Sequence, residues 1–180
     1  MVKRIAEFVG QVLKWVQPNG TRLEYELRAG DEVIATLRFR SSFGSFATAT
    51  CAEGTWTFKR VGFFQTKATI RENESETDLA FFENNTWKGG GTLQFPDGRK
   101  YPANTNFWST HYEFTMDSGE PLISYSKIGG FLHMSSATEI HPIAKNIPEM
   151  PWMVMLGWYL TLMMYMDSSA STAIIATTMS

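Results

Sequence analysis

The sequence predicts a mainly β protein, a closed antiparallel barrel of about twelve strands wrapped around a buried C-terminal hydrophobic helix. Three observations carry that expectation. Residues 150–166, MPWMVMLGWYLTLMMYM, form an uncharged run. A helix apolar on every face must be surrounded by lipid or by protein. The chain before it reads as short runs alternating between apolar and polar side chains, the period of half-buried strands. Eight strands make a barrel that side chains alone can fill, whereas about twelve need a filler, which the helix supplies.

The first sixteen residues are ambiguous. Val2, Ile5, Phe8, Val9, Val12, Leu13 and Val16 recur at helical spacing, yet Val12, Leu13, Lys14, Trp15 and Val16 also suit a strand closed by the Pro18, Asn19, Gly20 turn. We treat residues 1–12 as an N-terminal segment and 13–167 as one barrel domain. From Thr21 the period is two, with Leu23, Tyr25 and Leu27 on one face and Arg22, Glu24, Glu26 and Arg28 on the other. Across Gly30 and Asp31 a second strand sets Val33, Ala35, Leu37 and Phe39 against Thr36, Arg38 and Arg40, which makes an antiparallel hairpin.

Strands follow over residues 45–51, around Trp56 and Phe58, and around Phe64, Ala68 and Ile70. The acidic run at 72–78 reads as a solvated connection. After a strand at 79–83, Trp87 leads into Lys88 and three glycines, a tight crossing or a ligand-facing loop. Asp97 and Gly98 mark a hairpin joining 92–95 to 99–101. Residues 107–116 are expected as one long strand, followed by shorter ones at 122–126, 131–135 and 138–141.

The helix is expected over about 150–166, with Pro151 in its first turn, Glu149 at its positive end and Gly157 permitting close approach. At 1.5 Å per residue it spans about 25 Å, short of a bilayer core of about 30 Å. That length disfavours the rival reading, a tail anchor. Residues 168–180 are expected as a flexible tail.

Composition narrows the function. Sixteen basic against eighteen acidic residues leave a net charge of −2, without the positive field of a nucleic-acid protein. A single cysteine, Cys51, rules out an internal disulfide and fits a reducing, cytoplasmic compartment. Glu7, Gln11 and Lys14 interrupt any signal-peptide core near the N-terminus. His111, His133 and His141 are scattered, and no G-x-S-x-G, H-E-x-x-H, C-x-x-C or G-x-G-x-x-G occurs. The expectation is a protein that is not an enzyme and holds no metal or cofactor.

The chain resembles the tubby C-terminal-like superfamily, which includes the tubby domain, the LURP-one-related proteins and the phospholipid scramblases. The resemblance covers residues 13–167. It lies in successive antiparallel strands followed by a terminal hydrophobic helix, here Leu156, Gly157, Trp158, Tyr159 and Leu160. Through stretches such as 56–63, WTFKRVGF, and Phe107 with Trp108, it is similar most of all to small bacterial-type members. The proline-rich segment, cysteine cluster and acidic calcium-binding stretch of scramblases have no counterpart. The resemblance implies the barrel and a connection to lipid.

Two basic groupings are the candidate binding residues: Lys59, Arg60 and Lys67, and Lys88 with Arg99 and Lys100. Meeting beside the triglycine loop, they would form a small anion site. The leading expectation is binding to anionic lipid head groups or a membrane surface, peripherally, with residues 2–16 as a second contact. The alternatives are a structural or protein-interaction domain and, behind both, a small-ligand carrier or enzyme.

Overall fold

The computed structural model describes residues 3–62, 66–85, 89–130 and 132–178, with side chains through Ser169. Twelve strands form one closed sheet: β1 (Val12–Val16), β2 (Glu24–Ala29), β3 (Glu32–Phe39), β4 (Ala47–Cys51), β5 (Gly54–Val61), β6 (Lys67–Glu72), β7 (Asp78–Asn84), β8 (Gly91–Gln94), β9 (Lys100–Thr105), β10 (Tyr112–Thr115), β11 (Pro121–Gly129) and β12 (Ser135–Ile140). Each pairs antiparallel with its neighbours in sequence. β1 closes the ring on β12, with Val12 opposite Glu139 and Trp15 opposite Ser136. Closure leaves no unpaired edge to template aggregation.

The alternation read from the sequence is the inside–outside alternation of the barrel. Leu13 and Trp15, Tyr25 and Leu27, Ala47 and Ala49, Ala68 and Ile70, and Ala80 and Phe82 point inward. Small and large inward residues together leave a bore that one helix fills. That helix, α1 (Met150–Thr178), is buried on all sides from Met150 to Met163. The Trp158 indole stacks on Trp15 at 5.9 Å and takes the Tyr25 ring edge-on. Tyr159 packs between Phe39 and Phe58 while its hydroxyl donates to the Ser45 carbonyl at 2.7 Å. Among the described residues, no helix is long and apolar enough to cross a membrane.

One open reading is resolved and three expectations change. The first sixteen residues are not an amphipathic helix: a short 3-10 helix, Ile5–Phe8, precedes β1. Ile5, Phe8, Leu13 and Trp15 are all buried, and the Gly10 N–H bonds the Ile140 carbonyl at the seam. Closing the ring requires β1, so this segment is not free to dock elsewhere; Val2 lies outside the described residues. The strand expected at 107–116 shrinks to Tyr112–Thr115. The Asn106 side-chain oxygen Oδ1 accepts from the Thr110 and His111 N–H groups, and its side-chain Nδ2 donates to Thr110 Oγ1, folding 106–111 into a turn. Such side-chain bonds compete with a strand ladder. The strand expected at 131–135 is absent from the described residues 132–134; β11 runs on to Gly129 and β12 begins at Ser135. Phe131, like Phe64 and Trp87, lies outside the described residues. Finally, α1 continues past residue 166, since no Gly or Pro after Gly157 stops it.

An up-and-down barrel sends alternate connections to opposite ends. At one end lie the β2–β3, β4–β5, β6–β7, β8–β9 and β10–β11 turns, with the 3-10 helix at Ile5–Phe8 and the start of α1. At the other lie the connections 17–23, 40–46, 62–66, 85–90, 106–111 and 130–134, with the exit of α1. We call this second end the rim.

Candidate functional site

The barrel separates the six basic candidates. Lys59, Arg60 and Lys67 stand near the rim, where Val61 pairs with Lys67. Lys59 is exposed, and the Lys67 ammonium sits 5.1 Å over the Phe81 ring, across the ladder from Glu83. Arg60 is bound: its two Nη atoms donate to both Asp167 oxygens at 3.0 and 2.6 Å, and its side chain is only 11% exposed. Arg99 and Lys100 lie at the opposite end, across the length of β8 from the triglycine loop. Lys88 is outside the described residues.

Arg99 donates to both Glu149 oxygens at 3.0 and 2.7 Å and to Asp97 at 2.7 Å, with its guanidinium 4.5 Å over Phe95. Arg60 and Arg99 therefore clasp the two ends of the buried stretch of α1. The hydrogen bonds from Arg99 hold the Glu149 carboxyl below its ordinary range. Its contribution is present above the unfolded carboxyl value, about 4.3, and is lost as pH falls through the lower folded value. We expect Arg99→Gln to cost about 1 kcal/mol at pH 7, the pair being part-exposed, and the gap to wild type to close as pH falls through the lowered Glu149 value. Urea melts of both proteins across that range check it; a gap independent of pH would assign Arg99 a packing role instead.

Among the described residues, the basic groups expected beside the triglycine loop are not gathered there. A groove of about 520 Å³ is there, but its described lining includes Glu83, Asn84, Gln94 and Asn104 and no cation. The glycines serve a tight crossing: a Cβ on Gly90 would overlap the Ala103 carbonyl, and one on Gly91 the Glu83 carbonyl.

Other chemistry is not gathered. His111 bonds Glu113, His133 the Gln17 carbonyl and His141 Ser124, each in a different place. Among the described residues, no group of His, Cys, Asp or Glu could hold a metal ion. Burial and the neighbouring Glu53 push the Cys51 thiol up to about 12, so it is a poor nucleophile near neutral pH.

What the fold does gather is a difference between its ends. The rim connections contain Phe43, Phe107, Trp108 and Leu132, with exposures of 103, 90, 77 and 72%. Phe107 and Trp108 touch edge to face at 5.1 Å, and Tyr165, where α1 leaves the barrel, is 47% exposed. The connections that include residues outside the described set carry Phe63, Phe64, Trp87 and Phe131 in sequence. No rim connection contains Asp or Glu, whereas Arg22, Arg40 and Lys88 all fall within them. The opposite turns hold Asp31, Glu53, Glu74, Glu76, Asp97 and Asp117. Large exposed apolar groups at separate tips are the unusual feature, since scattered ones need no account but a clustered set marks an interaction site.

The sequence reading missed this rim because it took the loops one at a time. The signal was there: sorting connections alternately, as an up-and-down ring requires, separates those with acid from those with aromatics.

Fold and site together define a class: a closed twelve-stranded antiparallel barrel with a helical core, acidic turns at one end and exposed aromatic tips at the other. No family model, curated protein or solved structure matches the chain, so the architecture alone supports this grouping.

Proposed function

We propose that this protein is a non-enzymatic barrel that docks peripherally on an anionic lipid surface through its rim. The observation that carries the reading is the segregation of exposed aromatic tips, with Arg22 and Arg40, on the acid-free connections at one end from the acidic turns at the other. Apolar tips on separate loops suit a flat, fluid partner that accepts each independently, and aromatic rings favour the membrane interface. Full burial of such a side chain contributes about 1.5–3 kcal/mol, and each basic residue near an anionic surface about 1 kcal/mol. The acidic end turns away from such a surface. The resemblance to the tubby-like and scramblase-like barrels supports the same reading, and we propose membership of that superfamily with it.

The test is co-sedimentation with anionic and neutral vesicles. We expect a preference for anionic vesicles that weakens when salt rises from ~0.05 to ~0.5 M, because screening shortens the reach of surface charge. The combined variant Phe43→Ser, Phe107→Ser, Trp108→Ser and Leu132→Ser should lower binding at least ~100-fold, the equivalent of about 3 kcal/mol, with its melting unchanged. Lys100→Glu, at the far end, should have no effect. Equal sedimentation of wild type and the combined variant would refute docking through the rim and favour a protein-interaction role.

A further inference from the structure

A cleft of about 400 Å³ opens at the rim between the connections 17–23, 40–46 and 130–134 and the emerging end of α1. Its walls are apolar and adaptable: Leu23, Tyr25, Leu132, Met134, Leu162 and Met166. The Gln17 side chain in it is already engaged, donating to the Arg22 carbonyl at 2.8 Å and accepting from the Met134 N–H at 3.1 Å. The cleft thus offers a largely hydrocarbon-compatible surface, with the Tyr25, Tyr165 and Ser42 side chains also in its lining, within the size range of small-ligand sites, about 300–1,000 Å³.

Outside the cleft lining, at the rim ends of the two neighbouring strands, stand two arginines. The β2–β3 ladder pairs Glu24 with Arg38 and continues through the Phe39 N–H to the Leu23 carbonyl. The next residue on each side is Arg22 and Arg40, both exposed and neither in an ion pair among the described residues. Arg22 adjoins the cleft residue Leu23, and Arg40 is two residues from Ser42, which also lines it. The carboxylate next along the ladder, Glu24, already has Arg38 across from it. Like charges side by side on a ladder repel, and a shared anion relieves that repulsion.

We propose that this corner of the rim binds a single anionic amphiphile, its hydrocarbon chain in the cleft and its phosphate or carboxylate head between Arg22 and Arg40. The proposal rests on the surface reading above and deepens it: the rim not only touches a bilayer but takes up one chain from it.

The full-length protein is titrated calorimetrically, without vesicles, with lysophosphatidic acid below its micelle concentration. The comparisons are inorganic phosphate and lysophosphatidylcholine of the same chain length. We expect one-to-one binding of lysophosphatidic acid, at least tenfold tighter than the choline lipid and at least a hundredfold tighter than phosphate. Ser42→Trp puts a large ring into the mouth of the cleft from an exposed loop and should reduce that binding at least thirtyfold while vesicle sedimentation persists. Arg22→Gln with Arg40→Gln should bring lysophosphatidic acid down to the level of the choline lipid. Absence of one-to-one binding, equal binding by Ser42→Trp, or phosphate as tight as the amphiphile overturns the slot even where vesicles still bind. One-to-one binding without vesicle sedimentation instead keeps the slot and overturns the surface reading.

Discussion

Leu160→Asp is expected to leave no folded protein. Leu160 is 4% exposed in the buried stretch of α1, surrounded by the inward faces of the barrel. The nearest element of positive charge toward that end of the helix, Arg60, is already committed to Asp167. An ionised carboxylate there stands unpaired, and one that protonates to avoid charge still buries an unmatched polar group; either costs several kcal/mol. A whole domain is stable by only about 5–15 kcal/mol, so little remains. The measurement is soluble yield and far-ultraviolet circular dichroism, with Tyr165→Asp, at an exposed position of the same helix, as the folded control. A soluble Leu160→Asp variant that unfolds cooperatively would show that the helix is not the core.

Gly157→Ala is expected to destabilise, against the usual direction for glycine in a helix. Exchanging glycine for alanine in a helix interior ordinarily gains about 1 kcal/mol. Here the new Cβ would lie 2.5 Å from two ring carbons of Tyr125. That ring cannot retreat at little cost, because it is wholly buried, packs on Tyr112 at 6.2 Å, and its hydroxyl donates to the Val154 carbonyl at 2.6 Å. Overpacking costs about 1–3 kcal/mol, and losing the hydroxyl bond about 1 more. The clash wins, for a net loss of about 2 kcal/mol. Denaturant unfolding should show a lower midpoint at an unchanged slope. Tyr125→Leu in the same chain should make the alanine much less harmful than the two single changes added together. A midpoint equal to or above wild type would remove Gly157 from the list of contacts that set the helix depth.

Much of the architecture was legible because its signals are local. An uncharged run at 150–166 has to be enclosed, and alternation such as Leu23, Tyr25 and Leu27 has to face an interior. Asp97 with Gly98 closes the β8–β9 hairpin where expected. The failures share a cause as well. Alternation in 107–116 suggested a strand, but a bonded turn at Asn106 took the first half of it. Helical spacing that ran on through Val12, Leu13 and Val16 gave way to the demand that β1 complete the ring. In both places a tertiary or side-chain partner outweighed a weak local preference.

The candidate site was less legible, for a stricter reason. Lysines and arginines that look alike along the chain acquire different roles from what lies across space. Arg60 finds Asp167 and Arg99 finds Glu149, partners 107 and 50 residues away. Arg22 and Arg40, read only as the polar side of two strands, emerge as ladder neighbours with no ion pair among the described residues. By itself the sequence determined that a ring of amphipathic strands must enclose an uncharged helix, since burial patterns are a property of each segment. Only the tertiary structure decided which residues share an end of that ring, because end-to-end polarity depends on the alternation of connections around a closed sheet and on ion pairs formed across it.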